Sequence, residues 1–200
     1  MSATTPLRIG VLAIQGSFAE HLRALGRLGV EAVPVRRKEQ LADLDGLIIP
    51  GGESTTLGKL TRMYEIDRAI RAKAEAGMPI YGTCAGMILL AKRIAGGEPP
   101  HLGLLDVCVR RNAYGPQTES FEADLAIPEL GEAPFRAVFI RAPYIEAVGD
   151  GVRVLAAVDG HPVLARSGPL LVSSFHPELT DDLRLHRYFV ELVEKARLSV

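Results

Sequence analysis

A chain of 200 residues with 48% hydrophobic side chains fits one domain with a substantial core, and its 23 basic and 24 acidic residues leave a formal charge of −1. No basic block is longer than Arg36-Arg37-Lys38, which argues against nucleic acid or another polyanion as partner. Arg, Glu, Gly or Pro breaks every apolar run before the ~18 to 20 residues of a membrane span, the two cysteines lack C-x-x-C spacing, and no signal-peptide pattern opens the chain; a soluble protein of the reducing cytoplasm is expected.

In chain order, Leu7 to Ile14 predicts a strand, and Ser17-Phe18-Ala19-Glu20 a capping box that opens a helix with Leu22, Leu25 and Leu28 on one face and Gly29 at its end. Val30 to Val35 and Gly46 to Ile49 read as further strands. The third runs into Pro50-Gly51-Gly52-Glu53-Ser54-Thr55-Thr56, where two glycines let backbone approach a ligand or take positive φ. A glycine turn with Ser54 or Thr55 capping a helix suits the local sequence equally well, and the absence of Gly-Lys-Ser/Thr excludes a P-loop. Ile66 to Ala76 follows as a helix. This alternation predicts an α/β fold with a parallel sheet covered on both faces.

Met78 to Tyr81 leads into Gly82-Thr83-Cys84-Ala85-Gly86 and an apolar helix over about Ala85 to Arg93. A nucleophile at a sharp strand-to-helix turn needs small residues two before and two after it, and Gly82 and Gly86 stand there. The helix start favours a thiolate at Cys84, and the Ala85 amide can donate to an oxyanion. A packing thiol is the bland alternative, and it is the reading for Cys108.

Six β-rich pieces then follow without room for helices: Val107 to Arg110, Phe121 to Ala126, Phe135 to Arg141, Val152 to Ala157, Val163 to Ala165 and Leu170 to Phe175. They predict an antiparallel addition to the sheet. Arg110-Arg111-Asn112 ends one of them with groups able to bind a carboxylate, although a solvated strand end reads the same locally. Ser174-Phe175-His176-Pro177-Glu178 ends the last. Residues two apart in extended chain share a face, so Glu178 can orient His176 as base for Cys84, with proline keeping His176 out of helical conformation. His21, His101, His161 and His186 lack metal-ligand spacing and read as surface or structural. Leu183 to Ala196 closes the chain as an amphipathic helix. No linker appears, so residues 1–200 are expected to form one domain.

Taken together these segments resemble the class I, triad-type glutamine amidotransferases, and more narrowly the glutaminase subunits of pyridoxal 5'-phosphate synthases. The likeness runs through Ala13-Ile14-Gln15-Gly16-Ser17-Phe18, Leu47 to Thr56, Gly82 to Gly86, Arg111-Asn112-Ala113-Tyr114-Gly115, Glu119-Ser120-Phe121-Glu122, Phe139-Ile140-Arg141-Ala142-Pro143 and Phe175 to Leu179. It implies a three-layer fold with a mainly parallel central sheet, flanking helices and added antiparallel strands. It also implies glutamine hydrolysis through a glutamyl thioester, with Cys84 as nucleophile, His176 as general base and acid, and Glu178 orienting the imidazole. By the same resemblance the Gly52 and Ala85 amides form the oxyanion hole, and Gly52, Glu53, Ser54, Arg111, Ile140 and Arg141 bind glutamine. No metal or cofactor is implied. Ammonia would pass to a (β/α)8-barrel synthase subunit that builds pyridoxal 5'-phosphate from ribose 5-phosphate and glyceraldehyde 3-phosphate. Pro116 departs from the family, where a basic residue usually stands, and this bears on the loop from Tyr114 to Gln117. A cysteine peptidase or chaperone-like hydrolase of the same fold, and a noncatalytic regulatory subunit, are the competing expectations.

Overall fold

In the computed structural model, which describes residues 5–113 and 120–199, β1 (Arg8–Leu12) is followed by α1 (Phe18–Arg27), β2 (Glu31–Val35), β3 (Gly46–Ile49), α2 (Ser54–Met63), α3 (Ile66–Glu75) and β4 (Ile80–Thr83). Helix α1 stops where Gly29 takes a φ of 74°, a left-handed turn that glycine makes without strain. Beyond β4 come α4 (Ala85–Leu90), β5 (Ala91–Ile94), β6 (Leu105–Arg110), β7 (Ser120–Leu125), β8 (Phe135–Ile140), β9 (Tyr144–Val148), β10 (Arg153–Val158), β11 (His161–Ser167), β12 (Leu170–Ser173) and α5 (Arg184–Leu198).

Seven strands form the main sheet in the order β10-β11-β12-β4-β3-β1-β2. From β12 to β2 neighbouring strands are parallel, while β10 and β11 add an antiparallel edge. Neighbouring residues alternate across the sheet. Leu47, Ile49 and Ile80 pack on one face with α2, α3 and α4 residues such as Leu57, Ile70 and Leu89. Ile48, Tyr81 and Leu171 pack on the other with Leu25 of α1 and Phe189 of α5. The central strands β3 and β4 are thus buried on both sides, which is why they read as unbroken apolar runs. Two smaller sheets accompany this layer: β5-β6-β9, and a β7–β8 hairpin in register from Ser120↔Ile140 to Leu125↔Phe135.

Three expectations change. The helix after Cys84 ends at Leu90, where Ala91 turns extended (φ −63°, ψ 139°); Ala91 and Ile94 are buried, Lys92 and Arg93 are exposed, and β5 runs parallel to β6. All six α4 residues are buried, so no polar stripe in the sequence marks its end. Strand β9 was not anticipated. Cys108 is not core: Val107 and Val109 face inward, and its Sγ lies outward, 3.8 Å from Glu146 Oε2. The Tyr114 to Gln117 loop, with Pro116, lies outside the described residues. Among the described residues no helix is long and apolar enough to cross a membrane.

Candidate active site

The chain leaves β4 through Cys84, whose φ of 51° and ψ of −105° are unusual for a residue with a side chain. Such a conformation costs roughly 1–3 kcal/mol and persists only where neighbours hold it. The Cys84 N–H donates to the Ser173 carbonyl at 2.8 Å, and the Cys84 carbonyl accepts from Ile88 N–H at 3.2 Å. The flanking glycines are required by close approach. A Cβ on Gly86 would fall on the Ile49 carbonyl oxygen, and one on Gly82 against the Gly86 carbonyl.

His176 leaves the end of β12 with its N–H donating to Val138 of β8 at 2.8 Å. Its φ of −108° and ψ of 86° keep the non-helical conformation expected before proline. The extended geometry predicted for His-Pro-Glu does not hold, because Pro177–Leu179 is a single 3₁₀ turn with proline at its start. That turn swings Glu178 back beneath the imidazole, and His176 Nδ1 lies 2.7 Å from Glu178 Oε1. With Nδ1 engaged, Nε2 is the ring nitrogen left to face Cys84, whose side chain borders the same cleft.

Glu178 Oε1 accepts a second hydrogen bond, from Ser17 Oγ at 2.7 Å. The expected capping box is therefore absent: Ser17 makes no side-chain cap, and Glu20 pairs with Arg23 at 3.3 Å. A buried carboxylate is the stronger acceptor for the hydroxyl. Ser17 also donates its backbone N–H to the Gly51 carbonyl at 3.0 Å. Burial opposes charge on both triad partners but is outweighed. The Cys84 and Glu178 groups beside it raise the His176 pKa above the ordinary imidazole value, and His21, His176 and Ser17 hold Glu178 below the ordinary carboxylate range.

Cys84, Ala85 and His176 open into a cleft of about 410 Å³, which Gly52, Glu53, Ser54, Arg111, Ile140 and Arg141 also line. Every predicted site residue except Glu178 reaches it, and Glu178 stands behind His176. Gly51 and Gly52 serve close approach rather than positive φ: a Cβ on Gly51 would strike the His176 ring, and one on Gly52 the Gln15 amide oxygen. Glu53, not Ser54 or Thr55, caps α2 by accepting from Thr55 N–H at 3.1 Å, and its own N–H donates to Gln15 Oε1 at 2.9 Å. Arg111 lies 3.5 Å from Glu53 and 2.9 Å from Glu98. Asn112 and Arg141 share with Cys84 a positive φ, 46° and 45°, at the cleft wall. Strained residues gather where function fixes backbone direction.

Sequence reasoning missed two neighbours of the triad. Besides Ser17, His21 on α1 is fully buried with Nε2 3.4 Å from Glu178 Oε2. The four-residue spacing of Ser17 and His21, one helical turn, was the available signal.

A mostly parallel sheet flanked by helices is the architecture of the class I glutamine amidotransferases, and Cys84, His176 and Glu178 form a candidate triad on it. The chain belongs to the SNO glutamine amidotransferase family, which matches residues 11–195. It is 57% identical over 189 residues to the pyridoxal 5'-phosphate synthase subunit PdxT of Carboxydothermus hydrogenoformans, covering 94% of this chain and 99% of that one. It is 56% identical over 190 residues to PdxT of Pelotomaculum thermopropionicum, covering 95% and 97%. A crystal structure of a glutamine amidotransferase, 56% identical, superposes with a TM-score of 0.88 over 93% of this chain and 98% of the other.

Proposed function

We propose that this chain is the glutaminase subunit of a pyridoxal 5'-phosphate synthase, releasing ammonia from L-glutamine at Cys84 for a synthase subunit of (β/α)8-barrel fold. The observation that carries the chemistry is the His176 imidazole held by Glu178 at 2.7 Å in the cleft that Cys84 also lines. With Nδ1–H committed to the carboxylate, Nε2 is left to exchange the thiol proton. Cys84 Sγ attacks the side-chain amide carbon, His176 protonates the departing nitrogen, and ammonia leaves a glutamyl thioester. Water activated by the same imidazole then releases glutamate.

The Ala85 and Gly52 amides serve as oxyanion donors. Ala85 supports this as the first residue of α4, whose N–H has no preceding helical carbonyl to bind. Gly52 supports it through the Gly51 peptide: with that carbonyl directed at Ser17, the Gly52 N–H of a trans peptide points the opposite way. Gly52, Glu53, Ser54, Arg111, Ile140 and Arg141 hold glutamine, with Arg111 the natural partner for the substrate carboxylate once released from Glu98. Residues 1–200 work as one domain in the cytoplasm, and ammonia passes to the barrel subunit shielded from solvent.

Glutamate release measured with the synthase subunit present tests this reading. Cys84→Ala is expected to lower it by about a thousandfold or more. Undiminished release in that variant would remove Cys84 from the chemistry, and peptide cleavage without glutamine hydrolysis would favour a peptidase.

A further inference from the structure

Two fully buried histidines, His21 on α1 and His186 on α5, lie behind Glu178 and have no part in the chemistry above. They stand in line. His186 Nε2 is 2.9 Å from His21 Nδ1, and His21 Nε2 is 3.4 Å from Glu178 Oε2. Thr83, the residue before the nucleophile, places its Oγ1 3.3 Å from the same His21 Nε2. The line ends in two buried polar atoms with no hydrogen-bond partner among the described residues, Glu178 Oε2 and His186 Nδ1.

We infer that His21 is a positioning residue for the triad, its Nε2–H directed at the second oxygen of Glu178, and that His186 fixes the tautomer that makes this so. The inference rests on the triad proposed above. Two proton placements are open to a neutral pair. In one, His186 Nε2–H donates to His21 Nδ1 and His21 Nε2–H faces Glu178, leaving His186 Nδ1 as an unpartnered acceptor. In the other, a lone pair of His21 can accept from the Thr83 hydroxyl but also faces a carboxylate oxygen at full burial, and His186 Nδ1–H is an orphaned donor. Buried orphaned donors are the rarer defect, and opposed lone pairs at low dielectric repel. The first placement wins on both counts, so the protons along the line point toward Glu178.

The charged and titratable groups around His21 agree with a neutral ring. Burial lowers its pKa first, His176 lowers it further, and Glu178 and Glu20 oppose. His186 is held neutral by burial and by His21. Ser17 and His176 hold Oε1, and His21 is the polar group the structure places beside Oε2, which is otherwise unpartnered among the described residues, so loss of His21 removes the one restraint they supply on that side of the carboxylate. His21 does not line the cleft, so its loss acts on the imidazole and not on glutamine binding.

The test uses the complete synthase carrying variants of this chain. His21→Leu is expected to lower kcat about 10- to 100-fold, with KM for glutamine within about twofold. His21→Gln, which can return an N–H near the same point, is expected to recover most of that loss. A readout that needs no glutamine accompanies these: the pH dependence of Cys84 alkylation by iodoacetamide, followed on the Cys84 peptide by mass spectrometry so that Cys108 does not contribute. Weaker support for the His176 imidazolium moves that profile to higher pH in His21→Leu and back in His21→Gln. A wild-type profile in a folded His21→Leu, or the Leu loss repeated in His21→Gln, overturns the inference. Should His21→Leu not fold, His186→Phe removes the donor to His21 Nδ1 and must give the same shift; an unshifted profile there overturns it too. If glutamine is not the substrate, turnover is absent in the parent enzyme while the alkylation profiles still decide the point.

Discussion

Gly51 leaves no room for a methyl group, because a Cβ there would meet the His176 ring and the Cys84 side chain together. Gly51→Ala should therefore displace the base while leaving the buried core of the sheet untouched. The expected result is a loss of kcat on the order of a hundredfold, since small misplacements of reacting groups carry costs of that size. Steady-state glutamine hydrolysis with the synthase subunit present, with circular dichroism to confirm the fold, checks it. That Cys84 and His176 share a cleft with Glu178 behind the ring was legible in the sequence, because each sits in a short pattern that already contains its local chemistry. Ser17 was misread because its hydroxyl crosses 161 positions to reach Glu178, and the local motif offered it a nearer partner in its own helix. His21 escaped for a related reason: a lone histidine on an amphipathic helix carries no sign of what packs over it. Glu53 as the cap of α2, in place of Ser54 or Thr55, is a smaller instance, settled only by the backbone direction at Gly52.

Helix α4 shows the limit at the next scale. Its start was readable, since a glycine pair around cysteine demands a tight turn, but a six-residue helix buried on every side has no amphipathic period to count. The same burial makes it intolerant. In Gly86→Ala the new methyl would fall on the Ile49 backbone oxygen, so α4 or β3 must shift. Overpacking of this kind costs about 1–3 kcal/mol, more where backbone is the obstacle. A urea unfolding midpoint below that of the parent, with an unchanged m-value, is the expected outcome. The His-Pro-Glu segment carries the complementary lesson. Proline kept His176 extended as expected, yet proline is also favoured as the first residue of a helical turn, and here it begins one. The two residues met as predicted by a route the alternation rule did not describe.

Over the whole molecule, buried histidines set the response to acid. His186 is pushed down to about 3, by burial first and by neighbouring His21 second, and burial lowers His21 as well. In the unfolded chain both titrate near 6.5, so between that value and about 3 the unfolded state binds more protons and stability falls as pH falls. Glu178, held below its ordinary value, adds a loss in the same direction under about pH 4.5. His176 acts at the other end: its pKa is raised, so its contribution is full below 6.5 and fades as pH rises above it. Unfolding free energy should peak near neutrality, and denaturant titrations at pH 7, 5.5 and 4.5 should show a shallower acid slope in His186→Phe than in the parent. The parallel layer of the fold was readable from βαβ alternation, whereas the partition of the later strands among three sheets depends on pairings between distant segments. One of those pairings has an engineering consequence. The β7–β8 hairpin belongs to neither larger sheet, yet it carries Ile140, holds the backbone of His176 through Val138, and turns at an open Gly131. A ligand-responsive module spliced between Gly131 and Glu132 would gain a mechanical handle on His176, the proposed base, turning a metabolite-releasing enzyme into a biosensor with ammonia as its output.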